Sequence, residues 1–190
     1  MMTVDVETFP VLSSGRLEFR ELSLLDVNEI FELRSDPELM KYIPRPMVNC
    51  KQDAIDHIEQ IHSLTARNEA INWAITEIGQ SKLIGTIGFY RIKPEDFRAE
   101  LGYMILGEYH NKGFITESIR TVIQYAFYTL GFNSIEALID PENIVSARVL
   151  RKNGFERDGH IRENVFWEGK FLDTEVFTIL KKDLKKLSTP

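Results

Sequence analysis

The sequence predicts one α/β domain, residues 1–190, with a mixed, mostly antiparallel central sheet flanked by helices. Three observations predict this class. Apolar and polar residues alternate with period two in short runs near both ends of the chain and in its middle. Runs with helical spacing lie between these strands, and a compact glycine turn joins two of them. No internal repeat, low-complexity segment or linker interrupts the chain, so a single domain is expected.

The residue pattern of the N-terminal third predicts a lead-in, one strand and two helices. Residues 1–14 have no regular pattern and are expected to be a loose lead-in. Alternation around Phe19 indicates the first strand. Asp26 is a candidate cap for a short helix that ends before Pro37, because the residue before proline disfavours helical geometry. A second helix is expected from about residue 50 to 67, where apolar residues recur on one side.

The middle of the chain is predicted to be a β-meander. One strand is expected around residues 73–78, a hairpin turn at 79–81 and the next strand at 83–90. A third strand, 98–106, leads into the longest amphipathic helix. The remaining elements are expected to be a strand, a helix, an antiparallel strand pair and a polar tail, at residues 135–139, 143–153, 155–166 with 171–180, and 183–190.

Composition excludes several classes of protein. The formal net charge is −6, from 23 basic and 29 acidic residues, which argues against a general nucleic-acid-binding surface. The single cysteine, Cys50, excludes an intramolecular disulfide framework and a cysteine-built zinc site, and the scattered histidines predict no metal site. No apolar run reaches transmembrane length and residues 1–7 do not resemble a signal peptide, so we expect a cytoplasmic protein. Composition leaves a monomer and a homodimer equally open.

The first functional pattern is a strand, a polar turn around Gly113 and a helix. The start of a helix leaves backbone N–H groups without intrahelical acceptors and carries partial positive charge, which favours a phosphate or pyrophosphate. The sequence contains neither a G-x-x-x-x-G-K-[ST] nor a G-x-G-x-x-G motif, and an ordinary strand-to-helix turn would give the same pattern. The helix itself is predicted from apolar residues on one face, followed by Gly131 as the residue after the helix end: Ile119, Val122, Ile123, Ala126, Phe127 and Leu130.

The second functional pattern is a capped helix after the next strand. Asn143 is a good N-cap and Gly154 a good residue to follow the helix end. Ser146 lies one turn into the helix, on the same side as Asn143. Because this helix also follows a strand, we expect its first turn to lie near the Gly113 turn. A capped amphipathic helix without a function would show the same spacing.

Together the two patterns resemble the GNAT (GCN5-related N-acetyltransferase) superfamily, and the order of elements matches it over nearly the whole chain. The turn His110–Ile115 is similar to the family's Q/R-x-x-G-x-G/A element. The segments Phe9–Leu12 and Gly15–Arg20 resemble the start of the RimJ/RimL-type branch, which acetylates protein N-termini. The later helix is similar to the family's N-x-x-[SA]-x-x-[VL]-x-x-K-x-G-F segment, carried here by Asn143, Ser146, Val149, Lys152, Gly154 and Phe155.

This resemblance implies a GNAT-like sheet that is splayed at an acetyl-CoA site, with acetyl-CoA as co-substrate and no metal. If the strand before the turn separates from its neighbour, an unpaired N–H near Met104 or Ile105 would polarise the thioester carbonyl. Lys112, Arg151 and Lys152 are candidate phosphate partners. The candidate cofactor-binding residues are Met104, Ile105, His110, Asn111, Lys112, Gly113, Phe114, Ile115, Thr116, Asn143 and Ser146.

The chain departs from the family pattern at four positions. His110 stands where Gln or Arg is usual, and Asn111 where this branch often has glycine. Ile115 replaces the second small residue, which narrows the approach to a pyrophosphate. Leu150 occupies the position of the tyrosine that serves many members as general acid. The resemblance to the RimL-like branch implies Ser146 as the acid instead.

Glu100 is the candidate general base. It lies in an otherwise apolar strand, where burial would raise its pKa toward a useful value. The RimJ/RimL resemblance implies the same residue, acting through a water. The alternative is a structural carboxylate at the strand edge, paired with Arg91 or Arg98.

The sequence therefore predicts an acetyl-CoA-dependent N-acetyltransferase that acts on a primary amine, most simply the α-amine of a protein N-terminus. A small-molecule amine is the second hypothesis for the acceptor. A non-catalytic acyl-CoA-binding module is the third, which the departures at His110, Ile115 and Leu150 leave open. The candidate acceptor-binding residues are Tyr42, Arg45, Phe166 and Trp167.

Overall fold

The computed structural model describes residues 9–188, with side chains described for residues 9–184. The strands are β1 (Leu12–Ser13), β2 (Leu17–Glu21), β3 (Ile71–Glu77), β4 (Leu83–Lys93), β5 (Arg98–Ile105), β6 (Ser134–Ile139), β7 (Glu156–Trp167) and β8 (Lys170–Leu180). The helices are α1 (Val27–Ser35), α2 (Pro37–Met40), α3 (Lys51–Ala66), α4 (Phe114–Tyr128) and α5 (Ile144–Lys152). Short 3-10 turns supplement them.

The eight strands form one sheet in the order β1-β2-β3-β4-β5-β6-β8-β7. All neighbouring strands are antiparallel except β5 and β6, which are parallel. Helix α4 connects these two, since parallel neighbours need a crossover connection. The predicted mixed, mostly antiparallel sheet flanked by helices is therefore confirmed.

The two faces of the sheet carry different helices. On one face, α4 and α5 cover the larger core, which includes Trp73 and Phe127. On the other face, α1 and α3 cover a smaller core that includes Leu33, Ile58 and Ala74. Because successive residues of a strand point to opposite faces, β5 presents alternate side chains to these two layers.

Strands β5 and β6 pair over only three residues and then separate. Beyond this point β5 continues to Ile105 against β4, and β6 continues to Ile139 against β8. A gap therefore opens in the sheet beyond Glu100, which confirms the expected splay. The three pairs are Arg98 with Ser134, Ala99 with Ile135, and Glu100 with Glu136.

The expectation of a loose lead-in is wrong for residues 9–14. Residues Leu12–Ser13 pair with β2 as an edge strand. The Trp73 indole Nε1 donates a hydrogen bond of 2.7 Å to the Pro10 carbonyl, and the Phe9 ring packs edge-on against Trp73. Burial of this tryptophan orders the segment before the first predicted strand. The rest of the predicted lead-in, residues 1–8, lies outside the described residues.

The expectation of a polar tail at 183–190 is also wrong in part. A 3-10 helix spans Lys181–Ser188, and Leu184 is buried in the larger core. One apolar residue among lysines gives no period, although it is enough to anchor the segment. The last two residues of the predicted tail are not described.

Helix ends differ from the prediction in detail. Ser23 caps a 3-10 turn before α1, and Asp26 instead accepts the Ser23 N–H at 2.8 Å and pairs with Arg20. Helix α1 ends at Ser35, before Pro37 as predicted, and Pro37 then begins the short α2. Helix α4 ends at Tyr128, and Gly131 beyond it has the left-handed conformation that was predicted (φ +78°).

Candidate active site

The gap between β5 and β6 exposes one edge of β5. In an antiparallel ladder, backbone N–H groups alternate between the two edges of a strand. The Leu106 N–H donates to the Ile84 carbonyl at 2.9 Å, so the Met104 N–H, two residues earlier, also faces β4. The N–H groups of Tyr103 and Ile105 face the gap. Of the two expected donors, Ile105 is therefore the one with an N–H at the gap, and Met104 is not.

The turn before α4 leaves its backbone donors open. Asn111 and Gly113 both have positive φ, at +60° and +78°. The Glu117 N–H donates to the Gly113 carbonyl as the first bond of the helix, and no side chain caps the helix start. The N–H groups of residues 113–116 therefore lack intrahelical acceptors, as an anion site requires. The His110 imidazole approaches the Ile105 carbonyl at 3.1 Å, which ties the turn to the end of β5.

The N-terminal segment fixes the first turn of α4. Glu117 accepts hydrogen bonds from the Ser14 hydroxyl at 2.8 Å and the Arg16 N–H at 2.9 Å, and pairs with the Arg16 guanidinium at 2.7 Å. Arg16 also donates to the Lys112 carbonyl at 3.1 Å. Burial would raise the pKa of Glu117, but the bonds from Ser14 and Arg16 outweigh it and lower this pKa. The carboxylate is thus ionised and held away from the open N–H groups.

A groove of about 550 Å³ runs beside the open helix start. Three cations line it: Arg16, Arg120 and Lys152. Only Lys152 was expected as a phosphate partner. Lys112 lies instead over the Tyr109 ring, and Arg151 lies over the Phe177 ring. Arg16 was not predicted because its role depends on the fold of the N-terminal segment, and Arg120 because an arginine on a helix is usually solvated.

The first turn of α5 faces β5 across the gap. The Asn143 side chain accepts the Ser146 N–H at 3.0 Å, as the predicted N-cap should. The buried Ser146 hydroxyl is 2.6 Å from the Tyr103 hydroxyl. Burial raises the pKa of Tyr103 to about 12, against the opposing hydrogen bond with Ser146. Tyr103 therefore stays protonated at neutral pH and is a proton donor that the sequence did not reveal.

Glu100 lies on the opposite face of β5 from Tyr103. Its carboxylate is 18% exposed and accepts a 2.8 Å hydrogen bond from Arg91. Burial raises the pKa of Glu100, Arg91 opposes this shift, and the nearby Glu136 adds to it. Glu136 pairs in turn with Arg98. The Glu100 carboxylate is thus ion-paired with Arg91, as the structural alternative expects, and has the raised pKa that burial was expected to give; its role as general base remains a prediction.

Tyr90 lies next to Glu100 on the neighbouring strand, β4. The two residues are directly opposite in the β4–β5 ladder. The Tyr90 ring covers Gly102, where an added Cβ would lie 2.8 Å from a ring carbon. Asn72 donates a hydrogen bond to the Tyr90 hydroxyl, and its own Oδ1 is buried without a partner. Glycine at position 102 thus provides the space that the aromatic ring occupies.

Arg34 lies in the last turn of α1, on the α1/α3 face of the sheet. The Arg34 carbonyl accepts the Val48 N–H at 3.1 Å, which ties the helix end to the loop before α3. Burial lowers the pKa of Arg34, Tyr90 opposes this effect and the charge of Arg45 adds to it. Burial and the charge of Arg34 lower the pKa of His57 to about 4. The groups near Arg34 are therefore a neutral histidine, a tyrosine and a second arginine.

The four candidate acceptor-binding residues fall into two places. Tyr42 and the exposed Arg45 lie in the loop between α2 and α3, and Arg45 acts electrostatically on Glu100. Phe166 and Trp167 lie at the tip of the β7–β8 hairpin, where the Phe166 ring packs against Phe171. This tip extends past the last pair of β6 with β8, at Ile139. The acceptor-binding roles of all four remain predictions.

The family assignment agrees with this geometry. Residues 16–156 match the family model described as an acetyltransferase (GNAT) domain, and the chain belongs to this family. It is an N-acetyltransferase with acetyl-CoA as co-substrate. The open helix start, the cationic groove and the N–H groups at the gap are groups that suit the phosphates and the thioester of acetyl-CoA.

Several relatives and solved structures are similar to the chain. It is 34% identical to the uncharacterized N-acetyltransferase YoaA of Bacillus subtilis (strain 168), over 91% of this chain and 98% of that protein. It is 25% identical to a Vibrio cholerae spermidine N(1)-acetyltransferase, over 88% and 95%. A Bacillus anthracis GNAT-family acetyltransferase structure has 26% identity and a TM-score of 0.82, over 91% and 99%. A structure of RimL, the ribosomal L7/L12 α-N-protein acetyltransferase, with coenzyme A shares the fold, with 20% identity and a TM-score of 0.81, over 90% and 98%.

The described part of the chain has neither a metal-ligand cluster nor a helix suited to a membrane. No group of three or more His, Cys, Asp or Glu residues there has a geometry that would hold a metal ion. No helix among these residues is both long and apolar enough to span a bilayer.

Proposed function

We propose that the enzyme acetylates the α-amine of a protein N-terminus, by direct attack of the amine in a ternary complex with acetyl-CoA. One observation supports the direct route. Strands β5 and β6 separate after Glu100, and at this gap Glu100 lies on one face of β5 while the Tyr103–Ser146 pair lies on the other. The acceptor would then approach from the α1/α3 face and the cofactor from the α4/α5 face. The resemblance of residues 9–20 to the RimJ/RimL-type branch supports a protein N-terminus as acceptor.

The residues that would hold acetyl-CoA follow from the open donors. The N–H groups of residues 113–116 would bind the pyrophosphate, with Arg16, Arg120 and Lys152 as cationic partners in the groove. His110, Asn111 and Lys112 would shape the turn around it. Asn143, which already holds the first turn of α5, would hold the pantetheine arm. When bound, acetyl-CoA supplies the activated acyl group as a thioester.

Three groups of the chain would carry the proton and charge transfers. Glu100, with its raised pKa, accepts a proton from the acceptor ammonium through a water. The Ile105 N–H donates to the thioester carbonyl at the free edge of β5, where charge develops. The Ser146 hydroxyl would donate a proton to the departing sulfur while Tyr103, 2.6 Å away, passes its own proton to the serine. The second proton that the acceptor nitrogen loses on forming the amide would restore Tyr103 through solvent.

A small-molecule amine is the second candidate acceptor. It is supported by the similarity to a spermidine N(1)-acetyltransferase, which extends over 88% of this chain. The two candidates differ in what must fit between α1 and the β7–β8 hairpin, because a peptide needs an open channel and a compact amine does not.

Coenzyme A release with matched acceptor panels would test the proposal. We expect amidated tetrapeptides with a free α-amine to be turned over at least tenfold faster, in kcat/KM, than N-terminally acetylated peptides whose only free amine is the primary amine of a lysine side chain. Spermidine and amino sugars are the small-molecule arm. Faster turnover of small amines than of every peptide would contradict the protein acceptor, and binding of acetyl-CoA without turnover of any amine would support a non-catalytic acyl-CoA-binding module.

A further inference from the structure

Arg34 carries a positive charge that the fold does not neutralise. Its side chain is half-buried, and its Nε is fully buried without a hydrogen-bond partner. Among residues 9–184 it forms no ion pair. A buried cation without an anionic partner is unfavourable, because it has lost water without gaining a compensating charge. The arrangement would be relieved by an anion that arrives with a ligand.

Arg45 extends this charge toward the proposed base. Arg45 lies three residues before Val48, whose N–H donates to the Arg34 carbonyl, and its positive charge lowers the pKa of Arg34 and opposes the raised pKa of Glu100. Within the part of the chain whose side chains are described, Arg45 also has no ion pair. The nearby carboxylates Glu100 and Glu136 are paired with Arg91 and Arg98 instead. The acceptor face therefore has two arginines with free donors beside the carboxylate that would deprotonate the amine.

We propose that Arg34 and Arg45 bind an acidic group of the acceptor, a carboxylate or a phosphate, carried close to the amine that is acetylated. The inference rests on the proposed function, because Glu100 defines where the amine lies. The planar guanidinium fork matches both acids with two parallel hydrogen bonds, so the same pair suits either one.

The same charges disfavour a polyamine. Spermidine carries further ammonium groups beside the one that reacts, and these would meet two uncompensated guanidinium groups. Like charges at close range repel most strongly where water is excluded. The enzyme should therefore differ in acceptor class from its spermidine-acetylating relative, although the two are 25% identical over 88% of this chain.

Matched pairs of acceptors that differ only in the acidic group test this inference. The pairs are serine with serinamide, phosphoethanolamine with ethanolamine, and amidated peptides that begin Ser-Asp with those that begin Ser-Asn. In at least one pair we expect the acid to be preferred at least tenfold in kcat/KM. Arg34→Gln should reduce this preference below threefold, and Arg45→Gln should reduce it less. Arg67→Gln, which changes an exposed arginine paired with Glu69 at the end of α3, should leave it unchanged.

Equal kcat/KM values within all three pairs would overturn the inference, as would a preference that persists in both arginine variants. Arg34→Lys keeps the charge and should retain part of the preference, which separates recognition from misfolding; unchanged calorimetric acetyl-CoA binding checks the fold of each variant. The peptide and small-molecule arms separate the two proposals. Acid preference only among small amines would refute the protein acceptor and support the arginine site. If no amine is turned over, dissociation constants of the pairs with coenzyme A present decide the question.

Discussion

The two faces of β5 differ in the source of their charge, which is backbone N–H groups on one face and ionised side chains on the other. On the α4/α5 face, the open N–H groups at the start of α4 provide positive potential without a buried ionised side chain, and Tyr103 stays neutral. On the α1/α3 face, ionised groups are half-buried: Glu100 is paired, whereas Arg34 is not. Backbone dipoles can bind a common cofactor for every reaction, while fixed charges discriminate among acceptors. Variants of the helix-start donors should therefore change the affinity for acetyl-CoA, whereas variants of the two arginines should change the choice of acceptor.

The largest effect is expected on the acceptor face. Glu100→Gln keeps the shape but removes the base, so kcat should fall about 10²- to 10⁴-fold while acetyl-CoA affinity changes little. Steady-state CoA release and calorimetry measure the two quantities. Glu175→Gln is the matched control, since this carboxylate on β8 is 15% exposed and is likewise paired with an arginine, Arg157. Unchanged turnover in Glu100→Gln would remove Glu100 from the mechanism.

The next effect is expected at the proton donors of the other face. Ser146→Ala should lower kcat about 10²-fold, and Tyr103→Phe about tenfold, because Phe removes the hydroxyl that supplies the serine. The double variant should be no slower than Ser146→Ala, since the two hydroxyls act as one unit. Single-turnover kinetics at saturating acetyl-CoA would measure this. Multiplicative losses in the double variant would show that Tyr103 acts without Ser146.

A smaller effect is expected at the cofactor turn. Gly113→Ala places a Cβ on a residue with φ +78°, which costs about 1–2 kcal/mol in the left-handed region and should weaken acetyl-CoA binding about tenfold as the turn adjusts. Gly79→Ala is the control, because Gly79 has φ +74° in the β3–β4 turn and open space around it. Both variants should lose similar stability in thermal unfolding. Calorimetry should show a loss of acetyl-CoA affinity only for Gly113→Ala.

The smallest effect on activity is expected at His57, where the change is instead in the pH dependence of stability. The folded-state pKa of His57, about 4, lies below the ordinary value of 6.5. Between these values the unfolded chain binds a proton that the folded chain does not, so the free energy of unfolding should fall as pH decreases from 6.5 to 4. His57→Gln should remove about 1–3 kcal/mol of this dependence. Denaturant unfolding at pH 7 and pH 4.5 would measure it, and an unchanged difference between the two pH values would contradict it.

Local signals in the sequence predicted the cofactor side well. Helix α5 begins after Asn143 and ends before Gly154, as a capping asparagine and a helix-ending glycine predict. The apolar face of α4 has its predicted period. Such signals depend on residues within a few positions of each other. Tyr103 was missed because its contact with Ser146 spans 43 positions and exists only where β5 and β6 separate. The choice between Met104 and Ile105 likewise depends on which edge of β5 is free.

The acceptor side was predicted less completely, for a different reason. A charged residue at the end of a helix is usually solvated, so nothing in the sequence distinguished Arg34 from other surface arginines. Its surroundings depend on tertiary structure, in which the loop before α3 returns to the end of α1 and the Val48 N–H donates to the Arg34 carbonyl. Glu100 was found because an acid in an apolar strand is unusual whatever surrounds it.

The gap between β5 and β6 also bears on the order of events in each catalytic cycle. An opening through a sheet has two entrances, so a ligand at one entrance does not obstruct the other. With each substrate using its own entrance, neither has to wait for its counterpart and either product can depart first. We therefore expect the initial-rate patterns of a random sequential scheme, in which desulfo-coenzyme A competes with acetyl-CoA but not with the amine.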